Sequence, residues 1–308
     1  MAWVVIVLII LIVAAATAFA AYGLWGLDLP FPRPRPPLRA GPIIVAADPL
    51  STIAIRLTIE KGFGPAEVEL ERTVLPDPPT LSLFTLYGIY DDEGLVPDTL
   101  YQYRVRFTNP ISAWSAPKSA RTLVNALHEG ELDTVGCGWQ GYCLVQRFEA
   151  FTLSRSGNFV SITLRAPPSG LSIERIYISR PHPSPGADPY DSVASGGALH
   201  DTMTQARLVV PPSPQSQTVT VPAIAFAVDE SQPLLIAVEF SAFVNSDVMY
   251  KEVPPGKAVG YYKLLGPLQP GEEPEARKTN RDAYLRSPPD TTKGGIYLIE
   301  KIEVGDAL

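Results

Sequence analysis

The hydrophobic pattern of this chain falls into two regimes. Residues 2–27 form one apolar run with no charged side chain before Asp28. A helix crossing roughly 30 Å of hydrocarbon needs about 20 apolar residues, so this run predicts a membrane-spanning helix. Residues 4–13 are all Val, Ile or Leu; in lipid, backbone groups must pair internally, which forces such a stretch into a helix. Trp3 at one end and Tyr22 and Trp25 at the other fall where amphipathic rings favour the headgroup zone. The competing reading is a cleaved signal peptide, with Ala18-Phe19-Ala20 as the small-residue cleavage site. The lack of Lys or Arg before Trp3, and an apolar core longer than the roughly 7–15 residues of a signal, favour a retained anchor.

Residues 28–41 alternate Pro with Arg, Phe and Leu. Proline fixes φ and favours extended polyproline geometry of about 3.1 Å per residue, so this segment predicts a semi-rigid stalk. Arg33, Arg35 and Arg39 lie on the C-terminal side of the apolar run, and the positive-inside bias would keep that side where the protein is made.

From residue 42 to residue 124 the period changes to two. Ile53, Ile55, Leu57 and Ile59 alternate with Thr52, Ala54, Arg56 and Thr58, as in a strand with one buried face. Val68 and Leu70 alternate with Glu67, Glu69 and Glu71. In residues 95–107, Tyr101, Tyr103, Val105 and Phe107 share one face.

That last stretch resembles the fibronectin type III domain, whose sixth strand is entered through Leu-x-Pro-Gly-Thr-x-Tyr-x-Tyr/Phe-x-Val. Leu95, Pro97, Thr99, Tyr101, Tyr103 and Val105 match it position by position, with Asp98 in place of the Gly and Leu57 where an early core Trp is common. The resemblance implies a seven-stranded sandwich over residues 42–124, used as a spacer or binding module. Pro97 turns the chain into the strand, and a Tyr at such a corner can return its hydroxyl to nearby backbone. Asn109, Trp114-Ser-Ala-Pro117 and the alternation after Lys118 fit the final hairpin.

Residues 125–136 are polar and glycine-containing and predict a linker, with a second β-sandwich over 137–308. Val160, Ile162 and Leu164 alternate with Ser161, Thr163 and Arg165, and Ile176 and Ile178 with Tyr177 and Ser179. Further strands are expected over 206–210, 217–228, 234–242, 258–264 and 295–304. Eight or so strands with Pro-rich connections suit a two-sheet sandwich such as a jelly roll. Helical periodicity is confined to residues 272–284, which can also be read as a loop. The expected fold class is therefore all-β behind one N-terminal transmembrane helix.

Charge and chemistry refine this picture. A net charge of −7 leaves no basic stripe to neutralise phosphates, which argues against nucleic acid. The two cysteines, Cys137 and Cys143, close a short glycine-bearing loop. A disulfide between them is one expectation, worth about 2.4 kcal/mol in the chain-entropy model, and reduced thiols the other. No histidine cluster accompanies them, so neither a metal nor another cofactor is expected. Asp188, Asp191, Ser192, Ser195, His200 and Asp201 offer the residue types of a calcium site or hydrolase triad. No nucleophile elbow or calcium-loop spacing frames them, and a solvated loop is the simpler reading. Trp139, Tyr142, Tyr261 and Tyr262, near Phe148 and Phe151, suggest an aromatic platform for sugar rings, with core packing as the alternative.

The sequence thus points to a non-enzymatic, single-pass membrane protein, anchored through residues 2–27. It would display two β-sandwiches for protein or glycan binding at a bacterial envelope, with protein partners or self-association. One alternative is a structural protein of a membrane-containing virus, its body facing the capsid, which would obey the positive-inside bias. Another is a tethered hydrolase with its site in the distal domain.

Overall fold

The computed structural model describes residues 41–60, 62, 67–76, 79–86, 88–128, 130–136, 138–184, 186–193, 199–201, 207–244, 247–266, 273–288, 290 and 292–307. The expected membrane helix and stalk lie outside these residues. Among the described residues no helix is long and apolar enough to cross a membrane.

The first sandwich is built from β1 (Ile43–Ser51), β2 (Ala54–Glu60), β3 (Glu67–Val74), β4 (Pro79–Leu86), β5 (Gly88–Glu93), β6 (Leu100–Phe107) and β7 (Lys118–His128). A three-stranded sheet in the order β1-β2-β5 faces the run β4-β3-β6-β7, all pairs antiparallel. Its core follows the period-two reading closely. Ile55, Leu57, Ile59, Val68, Leu70, Tyr101, Tyr103, Val105 and Phe107 are all buried in one cluster. Ile53 departs from the pattern: it sits in the turn before β2 and is half exposed, while its carbonyl accepts from the Leu95 N–H at 2.9 Å. A turn position pairs its backbone and is free to leave its side chain outside.

The tyrosine corner forms as the pattern implies. The Val96 N–H donates to the Tyr101 hydroxyl at 2.8 Å, so the ring is buried while its oxygen caps the turn. Deeper in, the Tyr103 hydroxyl donates to Asp92 Oδ2 at 2.9 Å, and Arg72 Nη1 reaches both oxygens of the same carboxylate at 2.8 and 3.0 Å. This buried charge ties β5 of one sheet to β3 and β6 of the other. Burial next to the Asp92 charge pushes the Tyr103 phenol far up.

No linker separates the first sandwich from the distal half. β7 pairs with β6 through Lys118–Arg121 and with β20 (Ile299–Ala307) through residues 120–128. The expected linker residues 125–128 are therefore strand. One seven-stranded sheet, β14-β10-β20-β7-β6-β3-β4, runs through both halves, with β10 at Gly157–Ala166 and β14 at Gln217–Val228. Residues 41–308 accordingly form one compact unit.

The distal half adds β8 (Thr134–Gly136), β9 (Tyr142–Phe148), β11 (Leu171–Ser179), β12 (Leu199–Asp201), β13 (Leu208–Val210), β15 (Leu234–Phe240), β16 (Val248–Val253), β17 (Ala258–Leu264), β18 (Leu285–Ser287) and β19 (Gly294–Tyr297). Its second sheet has the order β12-β11-β15-β9-β17-β18, and β19-β16-β8 make a small third sheet. The core between the sheets is carried by residues such as Leu144, Phe148, Val160, Ile162, Leu164, Ile176, Ile236 and Ile302.

Here the alternation understates burial. Tyr177 and Ser179 are buried along with Ile176 and Ile178, because residues 274–284 lie over the outer face of this sheet. That stretch, where helical periodicity is one reading of the sequence, carries only one 3-10 turn, Glu275–Arg277. The expected strand over 295–304 splits into β19 and β20 around Leu298, whose φ is 64°.

Candidate recognition surface

Trp139 lies in the loop between β8 and β9, half buried at one end of the distal sandwich. Its ring centroid is 5.9 Å from Tyr142, 5.6 Å from Tyr262, 5.8 Å from Phe240 and 6.0 Å from Tyr297. Tyr142 and Tyr262 are themselves 6.0 Å apart, and Tyr250 stacks on Tyr297 at 5.4 Å. These spacings are those of edge-to-face and offset aromatic pairs. The structure thus brings together three of the four platform residues expected from sequence.

Tyr261 is the correction. Neighbouring positions on a strand face opposite sides, so Tyr262 turns toward Trp139 while Tyr261 turns to the outer face and packs 5.2 Å from Tyr190. Phe148 also leaves the platform for the main core. Phe151 is three-quarters exposed elsewhere, in a turn with φ of 61°.

Phe240 and Tyr297 are buried in the main core, and Trp139, Tyr142 and Tyr250 pack against it, so this ring cluster is in part core packing, the alternative the sequence also offers. No local pattern links position 139 with 297; the link is the buried Gln146 side chain. Its Nε2 donates to the Gly295 carbonyl at 2.9 Å and its Oε1 accepts from the Tyr297 N–H at 2.9 Å, which docks β19 against β9.

Two further segments meet the Trp139 loop. Gln140 Nε2 donates to the Ala242 carbonyl at 2.7 Å, and the Leu265 N–H donates to the Gly141 carbonyl at 2.8 Å. These segments carry Phe243 and Leu264, which are 90% and 62% exposed. The half-buried rings of Trp139, Tyr142, Tyr250 and Tyr262 thus lie near loops that carry exposed apolar side chains.

The cysteine expectation meets a free thiol. Cys143 is unbonded and fully buried on the outer face, away from Trp139, with its thiol hydrogen-bonded to the Tyr284 hydroxyl. Burial pushes it up to about 12. Cys137 lies outside the described residues.

Between 182 and 189 most described residues are exposed, as the loop reading expects, while residues 190–192 turn inward. Asp191 and Ser192 are buried. Asp191 accepts the Arg281 N–H at 2.7 Å and the Asp188 N–H at 2.9 Å, so both carboxylate oxygens serve the backbone. The Ser192 hydroxyl donates to the Lys278 carbonyl at 3.3 Å. Asp188 is exposed, His200 and Asp201 belong to β12, and Ser195 lies outside the described residues. Among the described residues, no group of three or more His, Cys, Asp or Glu is placed to hold a metal ion.

No protein-family model and no curated protein matches this chain. Among solved structures, the crystal structure of the chicken CNTN1 FN1-FN3 domains is similar over 85% of this chain and 88% of that one, at 13% identity and a TM-score of 0.24.

Proposed function

We propose that this chain is a non-enzymatic structural or recognition protein, held at a bilayer by residues 2–27, that presents two coupled β-sandwiches for protein or glycan binding at a bacterial envelope. The observation that carries this reading is β7. One strand of 11 residues closes the first sandwich against β6 and then continues the sheet into the second against β20. A load or orientation imposed at Gly41 therefore passes to the distal loops through backbone hydrogen bonds, with no flexible linker between.

The seven strands of the first half and the Tyr101 corner support reading residues 42–124 as a fibronectin type III-like spacer. The Trp139 surface, with Phe243 and Leu264 beside it, supplies the recognition element. Rings of this kind offer an apolar face and a polar tip to sugars or protein side chains.

A second reading, a capsid-facing structural protein of a membrane-containing virus, is favoured by the free Cys143 thiol. Free thiols persist on the side of a membrane where the chain is made.

Sidedness separates the two. Ser184 is exposed on the distal half, so a full-length chain carrying Ser184→Cys reports it directly. In intact bacterial cells a membrane-impermeant maleimide is expected to label position 184 without permeabilisation. Labelling only after permeabilisation would overturn envelope display in favour of the capsid-side reading.

A further inference from the structure

The seven-stranded distal sheet, in which β13 also pairs with β11, has an apolar cluster on each face. One face packs the main core; the other packs Cys143, Val145, Tyr177, Leu235 and Ala237 beneath Ala276 and Tyr284. The covering residues, 273–284, belong to the connection between β17 and β18, which pair directly with each other. Neither strand needs the connection in order to pair. The residues of the main core belong to a separate cluster on the other face of this sheet.

Polar latches also hold this cover. Glu239 Oε1 accepts the Ala276 N–H at 2.7 Å, and Asp191 Oδ1 accepts the Arg281 N–H at 2.7 Å. The Ser192 N–H donates to the Thr279 carbonyl at 2.9 Å. The Arg281 guanidinium is almost fully buried; it donates to the Tyr190 carbonyl on the far side and to the Ala276 carbonyl within the cover at 2.7 Å.

We propose that residues 273–284 form a cover that opens as a unit while the sandwiches stay folded, and that Cys143 becomes accessible to thiol-directed chemistry through this opening. Closed, the thiol is sealed under Tyr284 and held protonated by burial, so it is inert. Open, it regains contact with water and the ordinary reactivity of a cysteine. Segments that move in a folded protein are drawn from its less stable parts, and this one is a connection whose two flanking strands pair with each other directly.

The test is the rate of alkylation of Cys143 by iodoacetamide in the full-length protein, read by mass spectrometry of the peptide containing residue 143. Urea is raised at constant pH to below the unfolding transition. Local opening exposes little surface and depends weakly on denaturant, whereas global unfolding carries the full slope. A rate nearly flat in urea is expected, with Arg281→Ala raising it at least tenfold and leaving the global midpoint close to wild type. A rate that climbs with urea along the global unfolding slope from the first increment would overturn the proposal. That wild-type measurement decides the matter even where the variant fails to fold.

Discussion

The guanidinium of Arg106 lies 4.3 Å from the centroid of the Trp114 ring, and that of Arg104 lies 4.9 Å from it. Each arginine is also held by a carboxylate from β3: Arg104 Nε to Glu71 at 2.5 Å and Arg106 Nε to Glu69 at 2.6 Å. The half-buried indole therefore covers a charge ladder on the outer face of the first sandwich. Cation–π contacts at such sites contribute about 0.5–1 kcal/mol each, so Trp114→Ala should cost about 1–2 kcal/mol in urea unfolding. Trp114→Leu keeps apolar bulk and loses the π face. A Leu variant as stable as wild type would show that packing, and not the ring quadrupole, holds the ladder.

Gly305 tests the coupling of the two sandwiches. It sits at a register irregularity between β20 and β7, and an added Cβ would lie 2.7 Å from Leu123 Cδ2 and 2.8 Å from the Arg121 carbonyl oxygen. Leu123 is fully buried and the carbonyl belongs to the shared strand, so neither gives way easily. Overpacking of this kind costs about 1–3 kcal/mol. Gly305→Ala should lower stability by that amount and separate the transitions of the two halves, read as hydrogen-exchange protection of β3 and β15. Protection of both strands unchanged from wild type would mean that the added methyl is absorbed locally and that β7 does not transmit strain between them.

In the first sandwich β2, β3 and β6 were legible because each is covered on one face, so alternation sorted Val68, Leu70, Tyr101, Tyr103, Val105 and Phe107 into the core. The junction was not. Polar residues at 125–136 read as a linker, yet Asn125 and His128 pair with Glu303 and Lys301 on a strand far away in sequence, which no local pattern records. The surroundings of Cys143 were not legible for a related reason: strand alternation turns its side chain beneath a connection that sequence leaves undecided between helix and loop. Adjacency in sequence groups Tyr261 with Tyr262, although adjacency on a strand separates faces.

Asp98 carries that lesson into an experiment. It replaces the glycine of the fibronectin-like pattern and indeed adopts φ of 52°. Its carboxylate meets Arg121 at 3.3 Å and also pairs with Arg155 of the distal half. A left-handed conformation costs a non-glycine residue about 1–2 kcal/mol, whereas exposed ion pairs return about 0–1 kcal/mol. Asp98→Gly should therefore fall within about 1 kcal/mol of wild type in thermal unfolding. Asp98→Val retains the strain, adds a β-branch and loses both arginines, and should be clearly less stable. A Val variant equal to wild type would remove the conformational argument.

Glu239 gives the cover a dependence on pH. Burial raises its carboxyl above the ordinary 4.5, opposed by the Ala276 N–H and by Arg175, whose Nε is 3.6 Å away, while the Glu275 charge pushes in the same direction as burial. The Cys143 thiol, the Tyr284 phenol and the Arg281 guanidinium also face this pocket, and Glu275 is paired by Lys263 at 3.4 Å and Lys278 at 2.7 Å. Because the closed form binds the proton more tightly than the open form, protonation favours closure. This contribution is complete below the ordinary value and is lost as pH rises through the raised one, where the closed cover must hold an ionised carboxylate out of water. The protection factor of the Ala276 amide, corrected for intrinsic exchange, should therefore fall as pH rises above about 4.5. Glu239→Gln keeps an oxygen for the Ala276 N–H but cannot ionise, and should flatten the profile. A profile of the same slope in both proteins would assign the pH response to another group and leave Glu239 as a latch alone.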